Sequence, residues 1–229
     1  MPWIGRNGYL TQSEMENNAN IVISYYRSQG INDATIAALL GNMQAESTIN
    51  PERYEGGVGP GYGLVQWTPR QNLIDACNTL GLSPYNDGTV QLQVIKEQIL
   101  NNPSLSAQWS TSSSSVSHYY NSGATSDMIG ITGQQFLNNS MGWSSEKLAV
   151  LFMVAYERPS YDPSINHYAL RQQYAQEWFQ YMGGQSGTFT PRLDDTGIVG
   201  NFHYYSDNIF YQSGYGMPNC TAYAWRAFL

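Results

Sequence analysis

The stretch that decides the fold is residues 43–67, MQAESTINPERYEGGVGPGYGLVQW. Apolar residues at helical spacing lead into it, which predicts a helix with one apolar face. These residues are Ile36, Leu39, Leu40 and Met43. Glu46 follows Met43 by three residues, so its side chain should project from nearly the same side of the helix. Apolar surroundings solvate an anion poorly and favour the protonated carboxyl, which suits a proton donor near neutral pH.

The second half of the stretch should form a tight β-hairpin or loop. Asn50-Pro51 should end the helix, because a proline forces the residue before it out of helical backbone angles. Glycine-rich backbone then allows close approach to a ligand. The glycines are Gly56, Gly57, Gly59, Gly61 and Gly63. Glu55 could face Glu46 across a groove. Glycoside hydrolysis uses two such carboxyl groups, which here would come from separate elements. Glu52 is the other candidate for the second carboxylate.

A glutamate before a proline, taken alone, is usually a solvated surface residue. Here it belongs to three motifs that occur in order along the chain. They are Glu46-Ser47 with Asn50-Pro51, Gly63-Leu64-Val65-Gln66-Trp67, and Ala155-Tyr156-Glu157-Arg158-Pro159. Together they resemble the lysozyme-like domain of bacteriophage tail lysozymes over about residues 10 to 182. The resemblance is particularly close to tail-tip lysozymes of small podoviruses that infect Gram-positive bacteria.

The resemblance implies a mainly α fold of the goose-type lysozyme and lytic-transglycosylase kind, with a small glycine-rich β-hairpin. It makes Glu46 the general acid and places Tyr156 beneath it, where a buried tyrosine hydroxyl would take Glu46 as its partner. Glu157 stands where some relatives have asparagine, and its role is left open. The groove that binds the sugars would be lined by Gly63, Leu64 and Gln66. We also expect sugar stacking from Tyr54, Tyr62 and Trp67, and hydrogen bonds from Ser47 and Gln66. Tyr156 is expected to bind substrate as well.

Capping residues and apolar spacing predict the remaining helices. A Ser13–Glu16 capping box should open the first helix, and Asn32 or Asp33 should cap the second. Later helices are expected at about residues 69–80, 89–101, 135–139, 145–157 and from 163 onward. The helix after Ser145 is apolar on every side and should be the central buried one. Cys77 should be a buried structural thiol, and His118 should face solvent.

The composition argues against several classes of function. The net charge is −7 and only 12% of residues are charged, which argues against nucleic-acid binding because that needs a cationic footprint. Abundant amides and tyrosines suit neutral sugars, although such surfaces also serve protein recognition. No apolar run approaches the ~20 residues of a membrane span. No cluster at metal-ligand spacing occurs, and no cofactor is implied.

The C-terminal part has a different character. Residues 183–190 are predicted to be a linker, and residues 191–229 a short β-containing fragment. The segment from Gly216 to Trp225 resembles the start of a CHAP domain, a cysteine- and histidine-dependent amidohydrolase/peptidase, whose nucleophile would map to Cys220. That family needs a later histidine, whereas His203 precedes Cys220, so peptidase activity is not expected. About 40 residues also build an independent core with difficulty.

The function expected from the sequence is cleavage of peptidoglycan glycan strands by a muramidase of a phage tail tip. One alternative is a lytic transglycosylase, in which the sugar's own 6-hydroxyl attacks. The other is a non-catalytic module that binds the cell wall or plugs the tail. The expected partners are bacterial peptidoglycan and other phage tail proteins. The N-terminus lacks the apolar core of a signal peptide, so we expect delivery in a virion or release through a lysed membrane.

Overall fold

The computed structural model of the protein describes residues 2–183. This part of the chain contains nine α-helices joined by loops and short 3₁₀ turns. They are α1 (Gln12–Ser28), α2 (Asp33–Ser47), α3 (Gln71–Leu80), α4 (Gly88–Ile99), α5 (Ser113–Ser117), α6 (Gly133–Asn138), α7 (Ser145–Phe152), α8 (Pro163–Asn166) and α9 (Tyr168–Tyr181). A π-helical turn, Met153–Glu157, continues α7. The mainly helical class predicted from the sequence is confirmed.

Two buried helices form the centre of the domain. Every residue of α2 from Ala34 to Met43 is buried, and the same holds from Leu148 to Tyr156 in α7 and its π-helical turn. A helix that is apolar on all sides must be covered on all sides, and α2 packs against both α7 and α9. The central position predicted for residues 145–157 therefore holds, and α2 shares it.

The close approach of α2 to α9 depends on a glycine. A Cβ atom at Gly41 would lie 2.6 Å from the backbone nitrogen of Ala175 and 2.7 Å from the carbonyl oxygen of Arg171. Both contacts are to backbone, which no side-chain rotation can relieve. The absent side chain thus lets the two helix backbones touch one turn before Glu46.

Several helix ends differ from the prediction by a few residues. Thr11 and Glu14 form the capping box of α1, in place of Ser13 and Glu16. Asn32 caps α2, as expected, whereas Ser144, one residue before the predicted Ser145, caps α7. Serine and threonine spaced one or two residues apart offer equivalent capping oxygens, so the sequence alone does not choose between them. The last predicted helix is split into α8 and α9 at His167, whose φ is 55°.

The end of α2 is strained. The helix stops at Ser47, and both Thr48 (φ 58°) and Ile49 (φ 56°) adopt left-handed backbone angles. The left-handed turn therefore ends the helix before Asn50-Pro51. Such angles are unfavourable for β-branched residues. Ile49 is fully buried, and its carbonyl accepts a 2.9 Å hydrogen bond from Asn18 Nδ2, so tertiary contacts hold the turn that follows Glu46.

The glycine-rich segment is not the β-hairpin that was predicted. It contains two isolated antiparallel bridges, Tyr54–Tyr62 and Tyr62–Trp67, and a 3₁₀ turn at Glu55–Gly57. Within residues 2–183 no strand forms. Gly56, Gly57 and Gly63 have positive φ angles, which curl the chain into successive turns and prevent extended pairing.

None of the helices between residues 2 and 183 has the length and apolar character needed to cross a membrane. The predicted linker beyond Gly183 lies outside the described residues, as do the β-containing fragment 191–229, Cys220 and His203.

Candidate active site

A cleft of about 730 Å³ opens at the C-terminal end of α2. The glycine-rich segment, α3, the loop before Trp109 and the end of the π-helical turn form its other walls. Glu46 lies in this cleft, together with Gln66, Trp67, Tyr156 and Glu157. The three sequence motifs are far apart in the chain, and the fold brings a residue from each of them to one surface.

Glu46 is fixed by a buried arginine. Its Oε1 accepts a hydrogen bond from Nη2 of Arg171, and the exposed fractions of the two side chains are 20% and 4%. Arg171 also donates to Oδ1 of Asn42 and to the carbonyl of Asn166, both at 2.9 Å. The sequence predicted apolar surroundings that favour a protonated Glu46. The structure instead places the guanidinium of Arg171 against this carboxyl group, in a charge-assisted contact.

Glu157 is the second acidic group on this side of the cleft, and the π-helical turn places it there. The N–H of Arg158, in a left-handed conformation (φ 50°), closes that turn by donating to the carbonyl of Met153 at 2.8 Å. Turns of this kind occur often at functional sites. Glu157 is partly exposed as a residue, but its Oε1 is buried and has no hydrogen-bond partner within residues 2–183.

The environment of Glu157 favours its protonated form. Burial raises the pKa of its carboxyl well above the usual range, and the negative charge of Glu46 raises it further. Arg171 acts in the opposite direction but is outweighed. Glu157 therefore keeps its proton at a pH where an ordinary glutamate is ionised.

The hydroxyl of Tyr156 does not bind Glu46, contrary to the prediction. It donates instead to Oε1 of Gln98, which also accepts a 3.1 Å hydrogen bond from Nε1 of Trp67. The Tyr156 ring stacks on Phe152 with centroids 4.7 Å apart, and this packing directs the hydroxyl towards α4. Gln98 thus joins the second and third sequence motifs beneath the cleft.

Replacing Tyr156 by phenylalanine is expected to lower the free energy of unfolding by about 1 kcal/mol, the typical value of one hydrogen bond. The loss stays small because Gln98 retains Trp67 as a donor. Urea unfolding at equilibrium would measure this loss. Tyr120 is 48% exposed, so the control variant Tyr120→Phe should change stability by less than about 0.5 kcal/mol. Equal stability of the two variants would contradict this role for the hydroxyl.

Among the residues predicted to bind sugar, three line the cleft: Gln66, Trp67 and Tyr156. The amide nitrogen of Gln66 donates to the carbonyls of Arg53 (3.1 Å) and Gly63 (2.9 Å). These bonds fix the side chain, whose oxygen is the group left for a ligand. Trp67 is only 7% exposed, so it offers the cleft a small part of its ring.

Ser47, Gly63 and Leu64 lie behind the cleft wall. The hydroxyl of Ser47 donates to the carbonyl of Leu64 at 3.0 Å, which ties the end of α2 to the second motif. The Leu64 N–H donates to Oε1 of Gln91 at 2.9 Å. Gly63 has φ 82°, and a Cβ there would lie 2.7 Å from the same oxygen. These residues hold the wall in position.

Tyr54 and Tyr62 are also outside the cleft lining. Their rings meet edge to face at 4.8 Å, and Tyr62 meets Tyr85 in the same manner at 5.7 Å. Tyr62 is 4% exposed, while the Tyr54 hydroxyl accepts a hydrogen bond from Arg70. The predicted stacking walls are therefore mostly internal packing of the glycine-rich segment.

The two candidates for the second carboxylate occupy different places. Glu55 lines the cleft, is exposed, and accepts a 3.3 Å hydrogen bond from the Gly61 N–H. Glu52 is outside the lining and packs against Gly5, with Asn86 donating to it at 3.4 Å. Only Glu55 therefore shares the cleft with Glu46.

Sequence reasoning did not identify Arg171. A signal was present, because Arg171, Ala175 and Trp178 have the spacing of one helix face and are the buried residues of α9. An arginine on an apolar helix face needs an anionic or amide partner. Identifying Glu46 as that partner required the crossing of α2 and α9.

Two residues outside the cleft match their predicted roles. Cys77 is buried and free, and burial raises the pKa of its thiol, so it remains a neutral part of the packing. His118 is exposed and stacks on Tyr161 with centroids 4.5 Å apart.

Comparison with known proteins agrees with the mainly helical fold. The model of the phage tail lysozyme family matches residues 17–182, so the chain belongs to that family. A similar protein is morphogenesis protein 1 of Bacillus phage B103, which is 30% identical over 187 residues. The match covers 80% of this chain and 44% of the relative, so the chain spans less than half the length of that protein. The family match ends before residues 191–229, and the comparisons give the CHAP resemblance and the role of Cys220 no support.

Proposed function

We propose that residues 1–182 form a peptidoglycan-cleaving module of a phage tail tip, with Glu46 as its general acid. The observation that carries this proposal is the placement of Glu46 at the end of a buried helix, in a cleft shared with Glu55, Gln66 and Trp67. Membership of the phage tail lysozyme family supports the substrate class. The relative's name, morphogenesis protein 1, supports a place in the virion beside other tail proteins.

In this mechanism a carboxyl of the cleft protonates the oxygen between two amino sugars as the bond breaks. The transition state resembles an oxocarbenium ion, whose positive charge a nearby carboxylate stabilises. Glu55 is the candidate for that carboxylate, or for the base that orients the attacking water. Gln66 and Trp67 would contact the glycan along the cleft wall.

A lytic transglycosylase is the second candidate, and the exposure of Glu55 favours it. A water-activating carboxylate must be held in position, whereas the only hydrogen bond to the Glu55 side chain within residues 2–183 is the 3.3 Å contact from Gly61. If Glu55 does not reach the sugar, the 6-hydroxyl of the substrate becomes the nucleophile. A binding module without catalysis would use the same cleft but would need no acid.

Mass spectrometry of purified peptidoglycan after digestion distinguishes the three functions. Hydrated reducing ends from the full chain, absent with Glu46→Gln, are the expected result for a muramidase. Anhydro-muramic ends would instead identify a transglycosylase and would leave Glu55 without a catalytic role. Glycan unchanged by the full chain would overturn the enzymatic proposal and favour the binding module.

A further inference from the structure

Glu46 from α2 and Glu157 from the π-helical turn line the same cleft, and the charge of the buried Arg171 of α9 acts on both of them. Arg171 binds Glu46 directly, and Oε1 of Glu157 is buried without a partner in the described part of the chain. The remaining charged or titratable side chains that line the same cleft are Arg53, Glu55, Asp75, Tyr156 and Arg158.

This arrangement separates the proton from the residue that should donate it. Glu46 is ion-paired with Arg171, and an ionised carboxylate cannot protonate a glycosidic oxygen. Oε1 of Glu157 is buried, and the negative charge of Glu46 acts on the same carboxyl group, so two anions here would repel each other in a poorly solvated site. One proton shared by two neighbouring carboxyls is the expected state, and burial puts it on Glu157.

We propose that Glu157 is a positioning residue that stores the catalytic proton and passes it to Glu46 when glycan enters the cleft. This inference rests on the proposed function of Glu46. The proton leaves the Glu157 carboxyl and binds the Glu46 carboxylate, so the negative charge moves to Glu157, where Arg171 attracts it. Glu46 then gives the proton to the leaving sugar oxygen. The attacking water or 6-hydroxyl loses one proton, which returns to the carboxyl pair and restores the starting state.

The two carboxyl groups of Glu46 and Glu157 should together set the highest pH at which the enzyme is active. In the wild type the last proton leaves only above the raised pKa of Glu157. Glu157→Gln removes the carboxyl group whose pKa is raised, and only Glu46, ion-paired with Arg171, is left to carry the proton. The alkaline limb of the pH–activity profile should therefore move to lower pH, with at least about a tenfold loss of rate at pH 7, partly recovered in acid.

The experiment measures peptidoglycan cleavage by the full chain between about pH 4.5 and pH 8, for the wild type, Glu157→Gln and Glu177→Gln. Glu177 is exposed on α9 and is the matched control, expected to keep the wild-type profile. An unchanged profile in Glu157→Gln overturns the inference, because a merely structural role would leave the pH dependence unaltered. An inactive wild type would instead contradict the proposed function itself.

A second measurement keeps the inference testable if Glu157→Gln folds poorly. In wild-type protein with ¹³C-labelled glutamate carboxyls, NMR titration should find one carboxyl still protonated at neutral pH. If all the glutamates are ionised there, Glu157 stores no proton and the inference fails.

Melting temperatures measured across the pH range test the raised pKa of Glu157 independently. A carboxyl with a raised pKa stabilises the fold below its ordinary pKa and loses this effect as pH rises, so the wild type should weaken relative to Glu157→Gln towards alkaline pH.

Discussion

Glu46→Gln is expected to reduce the rate of glycan cleavage by about 10²–10⁴-fold, the range that general acid catalysis contributes. The glutamine has the same shape, and its amide oxygen can still accept the hydrogen bond from Arg171. It cannot carry a proton to the sugar. Release of soluble fragments from purified cell walls, measured well below the melting temperature, gives the rate.

The same substitution has a moderate cost in stability. Arg171 keeps a hydrogen bond but loses an anionic partner, and hydrogen bonds to charged groups contribute about 1.5–3 kcal/mol. We therefore expect the free energy of unfolding to fall by about 1–2 kcal/mol, too little to unfold the domain. Glu177→Gln should match the wild type in both rate and stability. Wild-type cleavage by folded Glu46→Gln would remove Glu46 from the mechanism.

Gly41→Ala is expected to destabilise the domain by about 3 kcal/mol, at the upper end of the usual cost of overpacking. The new Cβ would lie 2.6 Å from the backbone of Ala175, so α2 and α9 must move apart. Helix propensity alone predicts that the substitution stabilises the domain, because alanine is favoured over glycine by about 1 kcal/mol within a helix. The direction of the change therefore distinguishes the two effects.

Thermal unfolding measures this change, and about 3 kcal/mol corresponds to a fall of roughly 6–12 °C in Tm for a domain of this size. Gly8→Ala is the matched control, because a Cβ at Gly8 has no neighbour within 4 Å. A Tm for Gly41→Ala at or above that of the control would mean that the helices are not held at this distance. Since the carbonyl of Arg171 is one of the atoms that the new Cβ approaches, the Glu46–Arg171 pair should be disturbed as well.

The sequence predicted the parts of the fold that depend on local pattern. The helical class, the buried helix predicted after Ser145 and the cap predicted at Asn32 or Asp33 follow from spacing and from capping chemistry, which operate over a few residues. The hairpin prediction was wrong because glycine permits both extended pairing and tight turns, and packing among Tyr54, Tyr62 and Tyr85 accompanies the turns that form.

For the candidate site, the three motifs predicted four residues that line the cleft: Glu46, Gln66, Trp67 and Tyr156. Partners were harder to predict, because they come from distant positions. Tyr156 binds Gln98, 58 residues away, and Glu46 binds Arg171, 125 residues away. Such pairings depend on how helices cross, and local spacing carries no information about that crossing.

The distance in sequence between Glu46 and Arg171 also has a consequence for biosynthesis. A ribosome makes Glu46 125 residues before Arg171, so Glu46 has no guanidinium partner until α9 has emerged. A nascent chain that stops before α9 also lacks the helix that packs against Gly41. The cleft is therefore completed only when nearly all of the helical domain has been translated.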